Sequence, residues 1–136
     1  MSPSNPMAGA WEALKWRTGR RGLFLLFLAV LDLAYGWSLY ATAGPQRQLD
    51  LLLPWQVWGL VWCATGLVCA AGAFMRHDRI PYAVAAMLKT AWAAVFLLDW
   101  INGYPRGWVA VAVWAAFAAT VVMVSSWPEP SPARKR

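Results

Sequence analysis

IPYAVAAMLKTAWAAVFLLDWI, residues Ile80 to Ile101, is the stretch whose reading decides the fold. It is long enough to cross a bilayer as a helix, since a span takes roughly 20 mostly apolar residues. Yet Lys89 stands near its middle and Asp99 near its end. A charge at the bilayer centre costs about 2.5–3.5 kcal/mol even on the lenient insertion scale. The rest of the chain must therefore supply partners for these groups.

Outward from this stretch lie three more apolar runs, Leu23 to about Tyr40, Leu51 to Phe74 and Trp108 to about Trp127. Together they predict an all-α, integral membrane four-helix bundle over residues 23–127. Residues 1–22 form a basic N-terminal segment and 128–136 a disordered basic tail. The composition agrees: 60% hydrophobic and 13% charged residues are too apolar for an ordinary soluble domain of this size. Eleven tryptophans fit the membrane–water interface, where Trp and Tyr gather. A formal charge of +6 would ordinarily point to nucleic acid. Here the basic residues sit between the apolar runs and make no continuous face, so nucleic acid is excluded as a partner and the bilayer takes its place.

Before the first run, Met1 to Pro6 reads as disordered, and Met7 to Thr18 can form a basic amphipathic helix with Met7, Trp11 and Leu14 on one face. A frayed extension of the first span is the alternative. Arg20 and Arg21, the run Leu23–Leu31 and Ala41-Thr42-Ala43 have the outline of a signal peptide. Asp32 interrupts that run, and cleavage would discard a helix the later spans need, so an uncleaved span is expected.

Gly44-Pro45 marks a turn before the second span, which has Pro54 in its first turn. Gly59, Cys63, Gly66, Ala70 and Ala73 recur there at spacings of four and three, a stripe that lets another helix approach closely. Trp55, Trp58 and Trp62 form a second, bulky stripe facing lipid or a partner. A short charged turn, Arg76 to Arg79, precedes the third span, and a Gly/Pro turn, Asn102 to Gly107, follows it. In the fourth span Ala112, Ala116 and Thr120 repeat every four residues, as do Ala115 and Ala119, again compatible with close helix contact.

Basic residues favour the cytoplasmic side of a membrane. Lys15, Arg17, Arg20 and Arg21, then Arg76 and Arg79, then Arg134, Lys135 and Arg136 all fall on one side. Only Arg47 and Arg106 fall on the other. Both termini are therefore expected in the cytoplasm.

On that topology the first and third spans run in the same direction. Asp32 follows Arg21 by eleven residues and Lys89 follows Arg79 by ten. At about 1.5 Å per residue both lie about 15 Å into the membrane, which predicts an Asp32–Lys89 ion pair. A rival alignment matches VLDLAYGW around Asp32 to LLDWINGYPRGW around Asp99 and makes the chain a tandem repeat of hairpins. It would put Lys89 near the cytoplasmic face, leaving too short a span to Ile101. The pair itself reads either as an interhelical clamp or as part of an ion or proton path. Asp99, beside Trp100 and Tyr104, reads as a solvated carboxylate at the outer interface.

No catalytic, cofactor-binding or metal residues emerge. Cys63 and Cys69 would sit about 9 Å apart along a helix and on nearly opposite faces, so they read as small packing residues. There is no CxxC, and His77 is the sole histidine. A phosphate loop and a nucleophile with its base are also missing, which argues against an enzyme.

The runs WRTGRRGLFLLFLAVLDLAYGWSLY, LKTAW and YPRGWVAVAVWAAFAATVVMVSSWPEP resemble the small four-span membrane proteins encoded by bacteriophages of actinobacteria. The resemblance covers most of the chain. Some of those proteins are assigned as holins, which open the cytoplasmic membrane at lysis. It implies a phage origin and the host's cytoplasmic membrane, and it transfers no catalytic residues. The resulting expectation is a self-associating, non-enzymatic membrane protein that permeabilises the bilayer. A small transporter or channel using Asp32 and Lys89 is one alternative. An accessory or superinfection-exclusion protein bound to a larger membrane partner is another.

Overall fold

The computed structural model describes residues 6–42, 53–75 and 78–128. Expectations for the loop turn at Gly44-Pro45, for Arg76 and His77, for residues 1–5 and for the tail beyond Pro128 lie outside these residues. So do the side chains of Trp11 and Leu14. Among the described residues the chain is all-helical: α1 Pro6–Ala41, α2 Trp55–Gly72, α3 Arg79–Ile101 and α4 Gly107–Ser125. All four hold a segment long and apolar enough to cross a membrane.

Within α1 the helical path breaks at Gly19, whose φ of 64° and ψ of −176° are not helical. Only glycine enters that region cheaply, since a Cβ would collide with the backbone there. The spanning part of α1 is therefore Gly19–Ala41, and the Pro6–Thr18 piece departs from its axis. In α2 the proline falls one step earlier than expected. Pro54 precedes the helix, and Trp55 begins it. Pro81 lies in the first turn of α3, where an amide donor has no intrahelical partner to lose.

α1 lies closest to α2, and α3 to α4, so the bundle is a pair of hairpins. The first hairpin is closed by the small-residue stripe of α2. A Cβ added to Gly36 would come 2.7 Å from the Gly59 carbonyl oxygen and 2.8 Å from the Cys63 amide nitrogen. One added to Gly66 would meet the Ala29 carbonyl oxygen at 3.0 Å. Ala70 packs at the edge of the same core, beside buried Cys69 and Ala73. In the second hairpin Gly107 accommodates Trp100, whose Cβ would be 2.7 Å from an added methyl.

On α4 the small residues expected at a helix contact do not make it within the chain. Ala112, Ala115, Ala116, Ala119 and Thr120 all lie exposed on the outside of the single chain. Ala118, Val121 and Val124 are buried instead, with Trp114 and Phe117 partly buried on the same side. The alanine repeats mark a real helical face that is turned outward, while the side carrying Trp114, Phe117, Ala118, Val121 and Val124 packs on the rest of the bundle. Elsewhere the outer surface is apolar, with Val30, Leu67 and Met87 well exposed. In lipid that surface costs nothing, because acyl chains are as apolar as leucine.

Candidate functional site

Where the two hairpins meet, α1 is joined to α3 and its N-cap residue Asp78 by three side-chain links at one constant offset. Arg21 pairs with Asp78, Asp32 with Lys89, and Tyr35 with Trp92, each 57 residues apart. A fixed offset means that the two helices run parallel and in register. Positions 21, 32 and 35 then fall on one face, because eleven residues make about three turns and a step of three stays near that face.

The middle link is fully enclosed. Lys89 Nζ donates to Asp32 Oδ1 at 2.7 Å and to Oδ2 at 3.0 Å, and both side chains have 0% exposure. The carboxylate is thus engaged through both oxygens. The ammonium also lies 5.0 Å from the Trp62 ring centroid and 5.5 Å from that of Phe117. Aromatic faces attract cations, by about 2 kcal/mol where water is excluded. Pairing supplies the charge complement that neither helix holds alone. It does not by itself add net stability, since desolvation can cancel the attraction.

Two unlike cores flank the pair. Toward Arg21 lie Leu25, Leu28, Ala29, Cys69, Ala85 and Val121, a mostly aliphatic layer that also takes in Tyr82. Toward the other end Trp62, Leu88 and Trp92 are buried against Tyr35, Trp58 and Trp114. Rings meet edge to face there: Tyr35 with Trp62 at 4.7 Å and with Trp114 at 5.3 Å, and Trp62 with Trp92 at 5.3 Å. Such geometry sets the positive rim of one ring against the negative face of another. Trp92 Nε1 donates to the Tyr35 hydroxyl at 3.0 Å. The indole nitrogens of Trp58 and Trp62 are buried without a partner among the described residues.

The third link closes the opposite end. Arg21 Nη2 lies 2.8 Å from Asp78 Oδ1, and the Tyr82 hydroxyl donates to the Arg21 carbonyl at 2.9 Å. The Arg21 guanidinium also sits 5.4 Å from the Tyr82 ring centroid. Among the described residues no three His, Cys, Asp or Glu side chains gather as a metal site would require.

Asp32 and Lys89, matched by depth in the sequence, are therefore brought together, and Lys89 sits in mid-α3 rather than at its end. That placement disposes of the tandem-repeat depth for Lys89. Gly59, Cys63 and Gly66 face α1 and Ala70 packs against the buried core, whereas Ala112 and Ala116 lie exposed on the outside of the same chain. The tryptophan stripe of α2 turns inward at Trp58 and Trp62, onto an aromatic partner set within the chain. The Arg21–Asp78 and Tyr35–Trp92 links escaped the sequence reading. A signal for both existed: adding the 57-residue offset of the charged pair to Arg21 and Tyr35 lands on Asp78 and Trp92.

These features define a class, a small multi-pass membrane protein with four candidate spans and a charged link buried between two hairpins. Comparison with protein-family models, with curated proteins and with solved structures returns no match.

Proposed function

We propose that this is a non-enzymatic, phage-type protein of the bacterial cytoplasmic membrane, holin-like in that copies associate side by side and open the bilayer. The observation that carries the association is the outside of α4. There Ala112, Ala116, Ala119 and Thr120 are uncovered in the single chain. Small side chains let a second helix approach closely enough for backbone-level packing, which is how helices cohere in lipid. The Thr120 hydroxyl already donates to the Ala116 carbonyl, so this face makes no unmet polar demand of a neighbour. The permeabilising half of the proposal is supported by the resemblance of the three sequence runs to phage membrane proteins.

Asp32 and Lys89 serve in this reading as a clamp. Each is closed off and each satisfies the other, so their role is to hold the two hairpins in register. Both termini lie in the cytoplasm, as the distribution of arginine and lysine favours. A reporter fused after Arg136 reads as cytoplasmic; an exported reporter overturns that orientation.

Controlled expression in a bacterial host tests the function. Sudden lysis or loss of membrane potential is the expected result. Continued growth with unchanged permeability removes the lesion and leaves an accessory role. A pH-dependent flux abolished by Asp32→Asn would instead select the transporter.

A further inference from the structure

A cavity of about 310 Å³ opens at the end of the bundle that carries Arg21 and Arg79. Its volume is at the small end of the range for ligand sites, about 300–1,000 Å³. Its polar end is formed by Arg21, Arg79 and Ser125. Its walls then continue along the bundle as Tyr82, Ala83 and Ala86 of α3 and Val122 of α4. Positions 79, 83 and 86 share one face of α3, and 122 lies one turn inward from 125 on α4. The cavity is therefore amphipathic along the helix axes, cationic at the helix ends and apolar toward the middle of the span.

Its charge is under-compensated. Asp78 takes one nitrogen of Arg21 at 2.8 Å, while the Nε of Arg21 is buried with no partner among the described residues. Arg79 is exposed and makes no ion pair among the described residues. Among the described residues no carboxylate lines the cavity, Asp78 reaching it only through its pair with Arg21. Two guanidinium groups with a neighbouring apolar wall, at the depth where a helix leaves the hydrocarbon, match one kind of occupant.

We infer that this cavity binds the phosphate headgroup of an anionic phospholipid, with the first part of its acyl chains against Ala83, Ala86 and Val122. Arginine is suited to the task because its planar donors grip phosphate oxygens two at a time. Basic pockets between membrane helices are known headgroup sites. Two guanidinium groups against the single carboxylate of Asp78 among the described residues favour a net-anionic headgroup over a zwitterionic one. The apolar wall distinguishes a lipid from free phosphate. The inference needs only that the helices span a bilayer and is independent of whether the protein makes lesions.

The test uses the full chain in a nonionic detergent, titrated with phosphatidylglycerol, phosphatidylcholine or inorganic phosphate. Tm is followed by tryptophan fluorescence and retained lipid by native mass spectrometry. Phosphatidylglycerol raises Tm and is retained; phosphatidylcholine and phosphate have little effect. Arg79→Gln, at an exposed position, weakens phosphatidylglycerol binding roughly tenfold, as expected for loss of one charged hydrogen-bonding group. Ala83→Leu keeps every charge, fills the apolar wall and weakens binding as well. No effect of phosphatidylglycerol on the wild-type chain, or equal binding by both variants and wild type, overturns the site. Equal effects of the two lipids overturn the headgroup assignment, and an equal effect of phosphate alone overturns the lipid.

Discussion

Lys89 and Asp32 make each other tolerable, so losing one should be worse than losing both. Removing a single partner from a buried pair strands a charge where water cannot reach it, at a cost of about 3–5 kcal/mol. Replacing both with apolar residues of similar volume is often neutral. Lys89→Met should therefore accumulate poorly in membranes and unfold at lower temperature. The Asp32→Leu/Lys89→Met double variant should recover most of both quantities. Equal failure of single and double variants would mean that the two charges act separately. Gly36 offers a second test of a different kind. An added methyl there meets the Gly59 carbonyl oxygen at 2.7 Å and the Cys63 amide nitrogen at 2.8 Å, which are backbone atoms that cannot swing aside. Gly36→Ala should push α1 from α2 and cost about 1–3 kcal/mol, as overpacking does. The Cys63 Sγ is equally close at 2.7 Å, yet Cys63→Ala in the same chain should not rescue it, since the backbone contacts remain.

Among elements, the decisive relation is the register of α1 against α3. Inserting one alanine after Lys89 rotates the rest of α3 by about 100° and advances it about 1.5 Å. The Asp32–Lys89 pair would survive, while Trp92 would swing away from Tyr35 and out of its aromatic setting. Displacing a buried tryptophan costs about 3–5 kcal/mol, so Tm and membrane accumulation should fall steeply. The same alanine inserted after Gly103, in the exposed turn between α3 and α4, should be tolerated. Register also separates what hydropathy can reveal from what it cannot. The limits of α3 were legible to within a residue, because the charged turn before Arg79 and the Asn102-Gly103 turn bracket one apolar run. The charged pair was legible too, since a buried lysine needs a carboxylate at its own depth. Trp62 and Trp92 were not, because tryptophan is as much at home at an interface as in a core, and only the packed arrangement decides between them. Which side of α4 faces outward was not legible for a related reason. A run of alanines has the period of a helix but does not say which side larger neighbours will occupy. Asp78 was hidden within a short charged turn, where its exposure could not be judged from composition.

At the scale of the whole molecule, two tightly closed hairpins leave one apolar, small-residue face unused, and assembly of copies should proceed through it. A disulfide requires Cα atoms about 5.5 Å apart, a distance that two membrane helices reach only where small residues meet. In a Cys63→Ala/Cys69→Ala background, Ala116→Cys should therefore form a covalent dimer in membranes on mild oxidation. Leu67→Cys, on the exposed side of α2 at 61% exposure, should not. Ala116→Leu serves as the complement. The position is exposed in the single chain, so the fold and Tm in detergent should stay near wild type. The bulkier side chain should hold a neighbouring α4 away and lower the dimer fraction roughly tenfold, the equivalent of about 1.4 kcal/mol. If association is what opens the membrane, the loss of potential on expression should be delayed or abolished in the same variant. Unchanged dimerisation in Ala116→Leu, or equal cross-linking from residue 67, would move the contact to another face of the bundle. Intact dimers with no loss of potential would separate assembly from permeabilisation and leave the protein a self-associating accessory of the membrane.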